Sequence, residues 1–313
     1  MKMISQIDIH KNSGFLESRL QSFGAPGLYT QVVHGIKIHA LMCGWVKVKN
    51  AHYHSGFGPY HVLFDPTWTD WNPIFSWVIE HPEGTIVIDT GETTLANGSA
   101  YLKNTGINGW FNRQISRFSI SEKCEVGPQL NLLGIDPENV RWVILSHLHV
   151  DHTGGLKYFP KSEIIVSHQE FIKPYGAVEQ THPKWFHPHL VDYFEEGGIT
   201  FKDAYVLTNA KDVIVVPTPG HTFGHQSVIL KTPEVNLFFA GDASFSYDQL
   251  KSDVVPGINV DRNASRKTLT KIREFCSEGP TVYLPSHDQK SVDRFFGIPV
   301  DFNEIKAAAA KHL

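Results

Sequence analysis

"SHLHVDHTGG", residues 146–155, sets three histidines and one aspartate within six positions and follows them with two glycines. Neutral imidazole and carboxylate are good donors to zinc and similar divalent ions. His147 and His149 are two apart, so in an extended segment they face the same way. That spacing differs from the i, i+4 histidines of a helical zinc site. Asp151 and His152 follow after one residue and turn the chain. Four donors this close are too many for one tetrahedral ion that also needs distant ligands, whereas two adjacent ions would use them all.

Outward from this stretch the chain alternates short apolar runs with turn residues. "IKIHALMCGWVKV" (36–48) reads as a strand, and "IFSWVIEHPEGTIVIDTG" (74–91) as two strands joined at Pro82-Glu83-Gly84. Residues 50–73, rich in Gly, Pro and aromatics, read as a long ordered loop. Further strands are expected at 140–147, 163–168, 212–221, 226–231, 235–242 and 281–287. A helix is expected over 263–279, with Asn263 as its cap and Leu269, Ile272, Phe275 and Cys276 on its apolar face. Four of the strand-like runs end in a metal-capable residue: His147, His221, Asp242 and His287. Such ends converge on one rim of a sheet, and strand–helix alternation points to a layered α/β fold with helices outside. The resulting assignment gives one ion to His147, His149 and His221 and the other to Asp151, His152 and His287, with Asp242 bridging. Three terminal ligands and a shared carboxylate leave each ion an open position, the mark of a catalytic site. Gly154 and Gly155 are expected to let the backbone pack close to the ions, with a helix after them turning its positive end to the site.

The bulk numbers exclude several classes. The 313 residues are 41% hydrophobic and 19% charged, a globular composition. A net charge of −4 offers no basic stripe for nucleic acid. No apolar run approaches the roughly 20 residues that span a bilayer. The N-terminus lacks a signal-peptide h-region, so a cytoplasmic location is expected. Cys43, Cys124 and Cys276 are too scattered for a disulfide framework or a thiolate zinc site. Residues 1–30 read as an N-terminal arm and 31–313 as a single hydrolase domain. The Ala-rich end "IKAAAAKHL" reads as a frayed helix or an appended remnant. Of the 18 histidines, His10, His34, His39, His52, His54, His61, His81, His168 and His312 are read as solvated or hydrogen-bonded. His182, His187 and His189 lie in "THPKWFHPHL", read as a surface or lid segment because no carboxylate or strand end supports a second metal site.

"HLHVDH" matches the H-x-H-x-D-H signature of the metallo-β-lactamase superfamily, and His221, Asp242 and His287 match its remaining ligand positions. Asp89-Thr90-Gly91 resembles its early strand-end motif. The resemblance implies a four-layer αββα sandwich with a dinuclear centre at one edge. Within the superfamily, "MCGWVKV", "PIFSWVIEHPEGTIVIDTG", "LGIDPENVRWVILSHLHVDHTGGL", "TPGHTFGHQSVIL" and "GDAS" resemble successive blocks of the N-acyl homoserine lactone lactonases, the quorum-quenching hydrolases. The match runs from about residue 36 to about 295, most of the chain. It implies two divalent ions, zinc first with iron, cobalt or manganese as alternatives, a small-molecule lactone substrate, and a homodimer in which the arm could take part. It also implies attack by a metal-bridging hydroxide, with Asp151 carrying the proton from the attacking water to the leaving alkoxide.

One position departs from the family. Three residues after the bridging aspartate the lactonases usually carry a tyrosine that assists at the substrate carbonyl; here it is Phe245. Tyr247 is the candidate replacement, with polarisation by metal alone as the alternative. Met42, Trp45, Phe111 and Phe245, with the region of Trp185 and Phe186, are the candidates for the substrate's apolar contacts, set against ordinary core packing. The rival readings are another ester or thioester hydrolase resembling glyoxalase II, a di-iron redox enzyme and a non-catalytic metal-stabilised module. The second usually carries a glutamate where His149 stands, and the third would normally close its coordination.

Overall fold

The structure, a computed structural model, describes residues 27–53, 59–196 and 198–296. Two sheets organise them. The first runs β1 (Gly27–Val33), β2 (Ile36–Val48), β3 (Asn72–His81), β4 (Gly84–Ile88), then past β5 (Ser116–Ser119), which pairs with β2, to β6 (Trp142–Ile144), β7 (Glu163–Ser167) and β8 (His189–Val191). The second contains β9 (Glu195–Glu196), β10 (Asp203–Val206), β11 (Val213–Pro217), β12 (Gln226–Lys231), β13 (Asn236–Gly241) and β14 (Thr281–Pro285), in the order β14-β13-β12-β11-β10-β9.

The strands are apolar on both faces because both faces are covered. In β3, Phe75, Trp77 and Ile79 join the core between the sheets, whereas Ile74 and Val78 face the outer layer. In β11, Val213 and Val215 enter the central core, and Ile214 and Val216 pack outward. Outside the first sheet lie Val126 and Leu130 of the helix Val126–Leu132. Outside the second lie Leu269, Ile272, Phe275 and Cys276 of the helix Arg262–Glu278. The period of two in the strands and the apolar stripe of the long helix thus produce the expected αββα layering.

Four expectations are corrected. The ligand-bearing ends do not belong to one sheet. His147 follows β6 of the first sheet, whereas His221, Asp242 and His287 follow β11, β13 and β14 of the second. The last three strands point the same way, because β12 is antiparallel to both β11 and β13, and β13 is parallel to β14. The rim is therefore the shared edge of the sandwich. The division at residue 30 falls inside β1, whose seven residues pair with β2; residues 1–26 of the expected arm, with His10, lie outside the described residues. The segment 50–73 is not loop throughout: it holds the helix Pro59–Phe64 and the start of β3. The long helix is capped by Asp261 rather than Asn263, its side chain accepting from the Asn263 and Ala264 N–H groups. His54, His312 and the Ala-rich end also lie outside the described residues. Cys43, Cys124 and Cys276 are buried and free. Among the described residues, no helix is long and apolar enough to cross a membrane.

Candidate metal centre

At the sandwich edge, the loop after β6 carries His147 and His149 and then enters the short helix Val150–Thr153, which holds Asp151 and His152. This helix precedes Gly154 and Gly155, and a 3-10 helix, Gly154–Tyr158, begins at them. Those glycines face away from the cluster: a Cβ at Gly154 would meet Glu92, and one at Gly155 would meet Thr90 and Val126.

Five imidazoles converge, and in each the outward nitrogen is held by a protein acceptor. His149 Nε2 donates to the Tyr175 carbonyl at 3.2 Å, His221 Nδ1 to that of Ile258 at 3.0 Å, and His287 Nδ1 to that of Pro73 at 2.9 Å. His152 Nδ1 donates to Asp89 Oδ2 at 2.8 Å. His147 Nδ1 lies 3.0 Å from Ser146 Oγ, whose own proton goes to Asp89 Oδ2. These partners fix the tautomers, so the inward nitrogens present bare lone pairs. His149 Nδ1 lies 2.9 Å from His147 Nε2 and 3.1 Å from His221 Nε2. Three lone pairs this close repel one another, and a shared cation removes the conflict.

The second trio is Asp151, His152 and His287, with Asp151 Oδ2 3.4 Å from His287 Nε2. Asp242 stands between the trios. Its Oδ2 is 3.5 Å from His221 Nε2, and its Oδ1 is 3.5 Å from His152 Nε2 and 3.4 Å from His287 Nε2. His152 Nε2 and Asp242 Oδ1 are buried without a hydrogen-bond partner. Orphaned buried donors and acceptors are rare, and two that face each other across a carboxylate fit a pair of divalent ions. The seven sequence-predicted ligands are thus brought together, and three metal-capable trios can be drawn among them: His147, His149 and His221; Asp151, His152 and His287; and His147, His152 and Asp242.

The histidines fall into two electrostatic classes. Burial, then the neighbouring imidazoles, holds His147 well below the ordinary histidine value, and burial lowers His149 and His221 too. His152 is different: burial would lower it, but the carboxylates of Asp89, Asp242 and Asp151 outweigh that and raise it well above. Asp242 is held well below the usual carboxylate range, His287 and His152 outweighing the cost of burial.

Two supports place Asp242. Gly241 has φ 56°, and a Cβ there would lie 2.7 Å from Ser146 Cβ and 2.8 Å from His225 Nε2. His225, which the sequence reading passes over, accepts the Asp242 N–H at 2.9 Å through that nitrogen and faces Thr218 Oγ1 through the other. Its signal was visible as the second histidine of "GHTFGH", four residues after His221. Asp89 sits at φ 56° and also accepts the Ser146 N–H, at 2.7 Å.

The cluster forms the floor of a cavity of about 360 Å³. Its wall comes from the helices Pro59–Phe64 and Gly106–Ile115 and from β2, through Leu63, Ile107, Trp110, Phe111 and Val48. Phe111 and Phe245 line the cavity as expected. The Phe245 ring stands 5.8 Å from His221 and 5.9 Å from His287, centroid to centroid. Met42 and Trp45 do not line it: both are buried in the core between the sheets, because β2 turns them inward. Trp185 and Phe186 pack on the outer core instead. Tyr247 is also elsewhere. Ser246 caps a helix, Tyr247–Lys251, so the segment is not extended, and the tyrosine ring packs on the outer core with Arg294 over it at 5.5 Å. Tyr247 therefore cannot stand in for the hydroxyl missing at Phe245. His52 was read as an ordinary hydrogen-bonded histidine. It donates to the Lys49 carbonyl, but it also borders the cavity. Among the described residues the "THPKWFHPHL" histidines form no metal-capable group.

The profile of the metallo-beta-lactamase superfamily matches residues 69–287. The chain is 25% identical over 278 residues to the N-acyl homoserine lactonase AttM of Rhizobium radiobacter, covering 84% of this chain and 97% of that one. Among solved structures it resembles an N-acyl homoserine lactone hydrolase with the product N-hexanoyl-L-homoserine bound at its catalytic metal centre. The TM-score is 0.66 at 21% identity, over 82% of this chain and 94% of that one. It also resembles AidC, a dizinc quorum-quenching lactonase, with a TM-score of 0.59 at 15% identity over 85% and 92% of the two chains.

Proposed function

The chain belongs to the metallo-beta-lactamase superfamily, and from that premise we propose that it is a dinuclear metal hydrolase that opens the lactone ring of N-acyl homoserine lactones. The observation that carries this is the pairing of two donor trios, joined by Asp242, with an apolar wall directly above them. A lactone head needs the floor, and an acyl tail needs the wall. The names of the relatives support the same substrate.

His147, His149 and His221 would hold one ion, Asp151, His152 and His287 the other, and Asp242 both. The mixed nitrogen and oxygen donors suit zinc, and the resemblance to the dizinc lactonase AidC supports it. Such ions, when bound, supply a Lewis acid and a water acidic enough to act as nucleophile near neutral pH. The protein does the rest. Phe245 and the wall exclude bulk water and hold the substrate against the floor. Asp151, which borders the cavity, takes the proton released as water adds to the carbonyl and returns it to the ring oxygen as the ester bond breaks. With Tyr247 outside the site, no hydroxyl from that segment meets the carbonyl, and the oxyanion is left to the floor and the other polar groups that line the cavity.

The test is ring opening of N-hexanoyl homoserine lactone, followed by mass spectrometry and proton release before and after chelation and zinc restoration. Gain of one water, abolished by chelation and recovered with zinc, is the expected result. An intact lactone in a zinc-replete sample would overturn the substrate assignment and direct the search to other esters and thioesters.

A further inference from the structure

Asp89 supports both trios, His152 directly and His147 through Ser146, and His287 rests on the Pro73 carbonyl. In the first, the outward nitrogens of His149 and His221 rest on backbone carbonyls, so the trio is only as well placed as the loops that carry it. Two separate loops are involved, one after β6 and one after β11. One side chain accepts from the backbone of both. Glu170, in the short helix His168–Ile172, is fully buried. Its Oε1 accepts the Leu148 N–H at 3.1 Å, between the ligands His147 and His149. Its Oε2 accepts the Thr222 hydroxyl at 2.6 Å and the Gly224 N–H at 3.1 Å, in the loop that begins with the ligand His221. That loop lies so close that a Cβ on Gly224 would sit 2.0 Å from the Glu170 nitrogen.

We infer that Glu170 is a positioning residue for metal binding, a carboxylate clamp that sets the spacing of His147, His149 and His221 by tying their two loops together. The inference rests on the dinuclear reading above. All three partners are donors, so only a group that accepts on both oxygens satisfies them. Glutamine cannot. If its carbonyl takes the Oε1 place, its NH2 meets the Gly224 N–H; if it is flipped, its NH2 meets the Leu148 N–H. Either way one donor faces another in a dry site, and one loop is released.

The experiment measures both metal dissociation constants of the chain by zinc competition with a chromophoric chelator, for wild type, Glu170→Gln, His287→Ala and the double variant. Outer supports of ligands change metal affinity by about 10- to 100-fold. Glu170→Gln should weaken one ion by about that factor and leave the other near its wild-type value. His287→Ala should remove the ion that Glu170→Gln retains, so that the double variant holds neither tightly. Thr222→Val, which removes one of the three bonds and keeps the shape, should weaken the same ion as Glu170→Gln by less, and it serves if Glu170→Gln does not fold. Two ions at wild-type affinity in Glu170→Gln or, failing its folding, in Thr222→Val would overturn the clamp. Equal weakening of both ions would also overturn it, in favour of a purely structural role. A wild-type chain that itself binds no zinc would sink the metal centre and the clamp together, a result distinct from either.

Discussion

The floor and the wall of the cavity face the same space but are held in different ways. On the floor, the outward nitrogen of each ligand histidine has a named acceptor, and the bridge, Asp242, is placed by a glycine at φ 56° and by His225. On the wall, Ile107 and Trp110 are 74% and 50% exposed. The floor is thus rigid and chemically specific, whereas the wall is adaptable and selects by area. The difference predicts that floor substitutions should abolish turnover for every substrate, and wall substitutions should change only which substrates are preferred.

The largest break is Asp242→Ala. It removes the bridge, and with it several kcal/mol of transition-state stabilisation, so kcat/KM should fall by about a thousandfold or more for short- and long-chain lactones alike. A loss confined to one chain length would mean that floor and wall are not separable.

Next comes a support beneath the floor. Glu92 is buried against Gly154 and bonded to Tyr101 and the Thr93 N–H. Burial pushes its carboxyl up to about 8 from 4.5. The folded state therefore keeps a proton that the unfolded chain gives up, so this group favours folding most below pH 4.5 and loses that contribution as pH rises towards 8. Glu92→Gln reproduces the neutral form and should be more stable than wild type by a few kcal/mol at pH 8, with little difference at pH 4.5. Thermal melts across that range check it, and parallel curves for the two proteins would contradict it.

On the wall, Phe111→Ala should lower kcat/KM about tenfold for a decanoyl substrate and hardly at all for a butanoyl one, since pocket methylenes discriminate by about 1–3 kcal/mol. Equal losses would place Phe111 in the chemistry instead. The smallest effects belong to the boundary between the two regions. Phe245→Tyr should raise kcat by no more than about tenfold, the net worth of one hydrogen bond. Tyr247→Phe should leave kinetics unchanged, and a clear fall in kcat would return that hydroxyl to the site.

The same contrast governs what the sequence discloses. Metal donors must be specific residue types at strand ends, so His147, His221, Asp242 and His287 could be found from the runs that precede them. The apolar runs at 74–81 and 212–217 likewise disclosed strands, whereas the covering of both their faces is visible only in the structure. The wall carries no such constraint: an apolar side chain serves a core and a pocket equally, so Met42 and Trp45 could not be told from Phe111. Tyr247 failed for a local reason: its hydroxyl could reach the site only from an extended segment, and the Ser246 cap begins a helix there. His225 and Glu170 were missed because they act on ligands from a second tier, where the signal is a hydrogen bond rather than a motif.

The claim that the floor holds two ions across Asp242 is tested most directly by a zinc-soaked crystal measured at the zinc absorption edge. The account predicts two anomalous peaks of comparable height, one among His147, His149 and His221 and one among Asp151, His152 and His287, with Asp242 between them. A single peak, or a pair elsewhere in the chain, would contradict it.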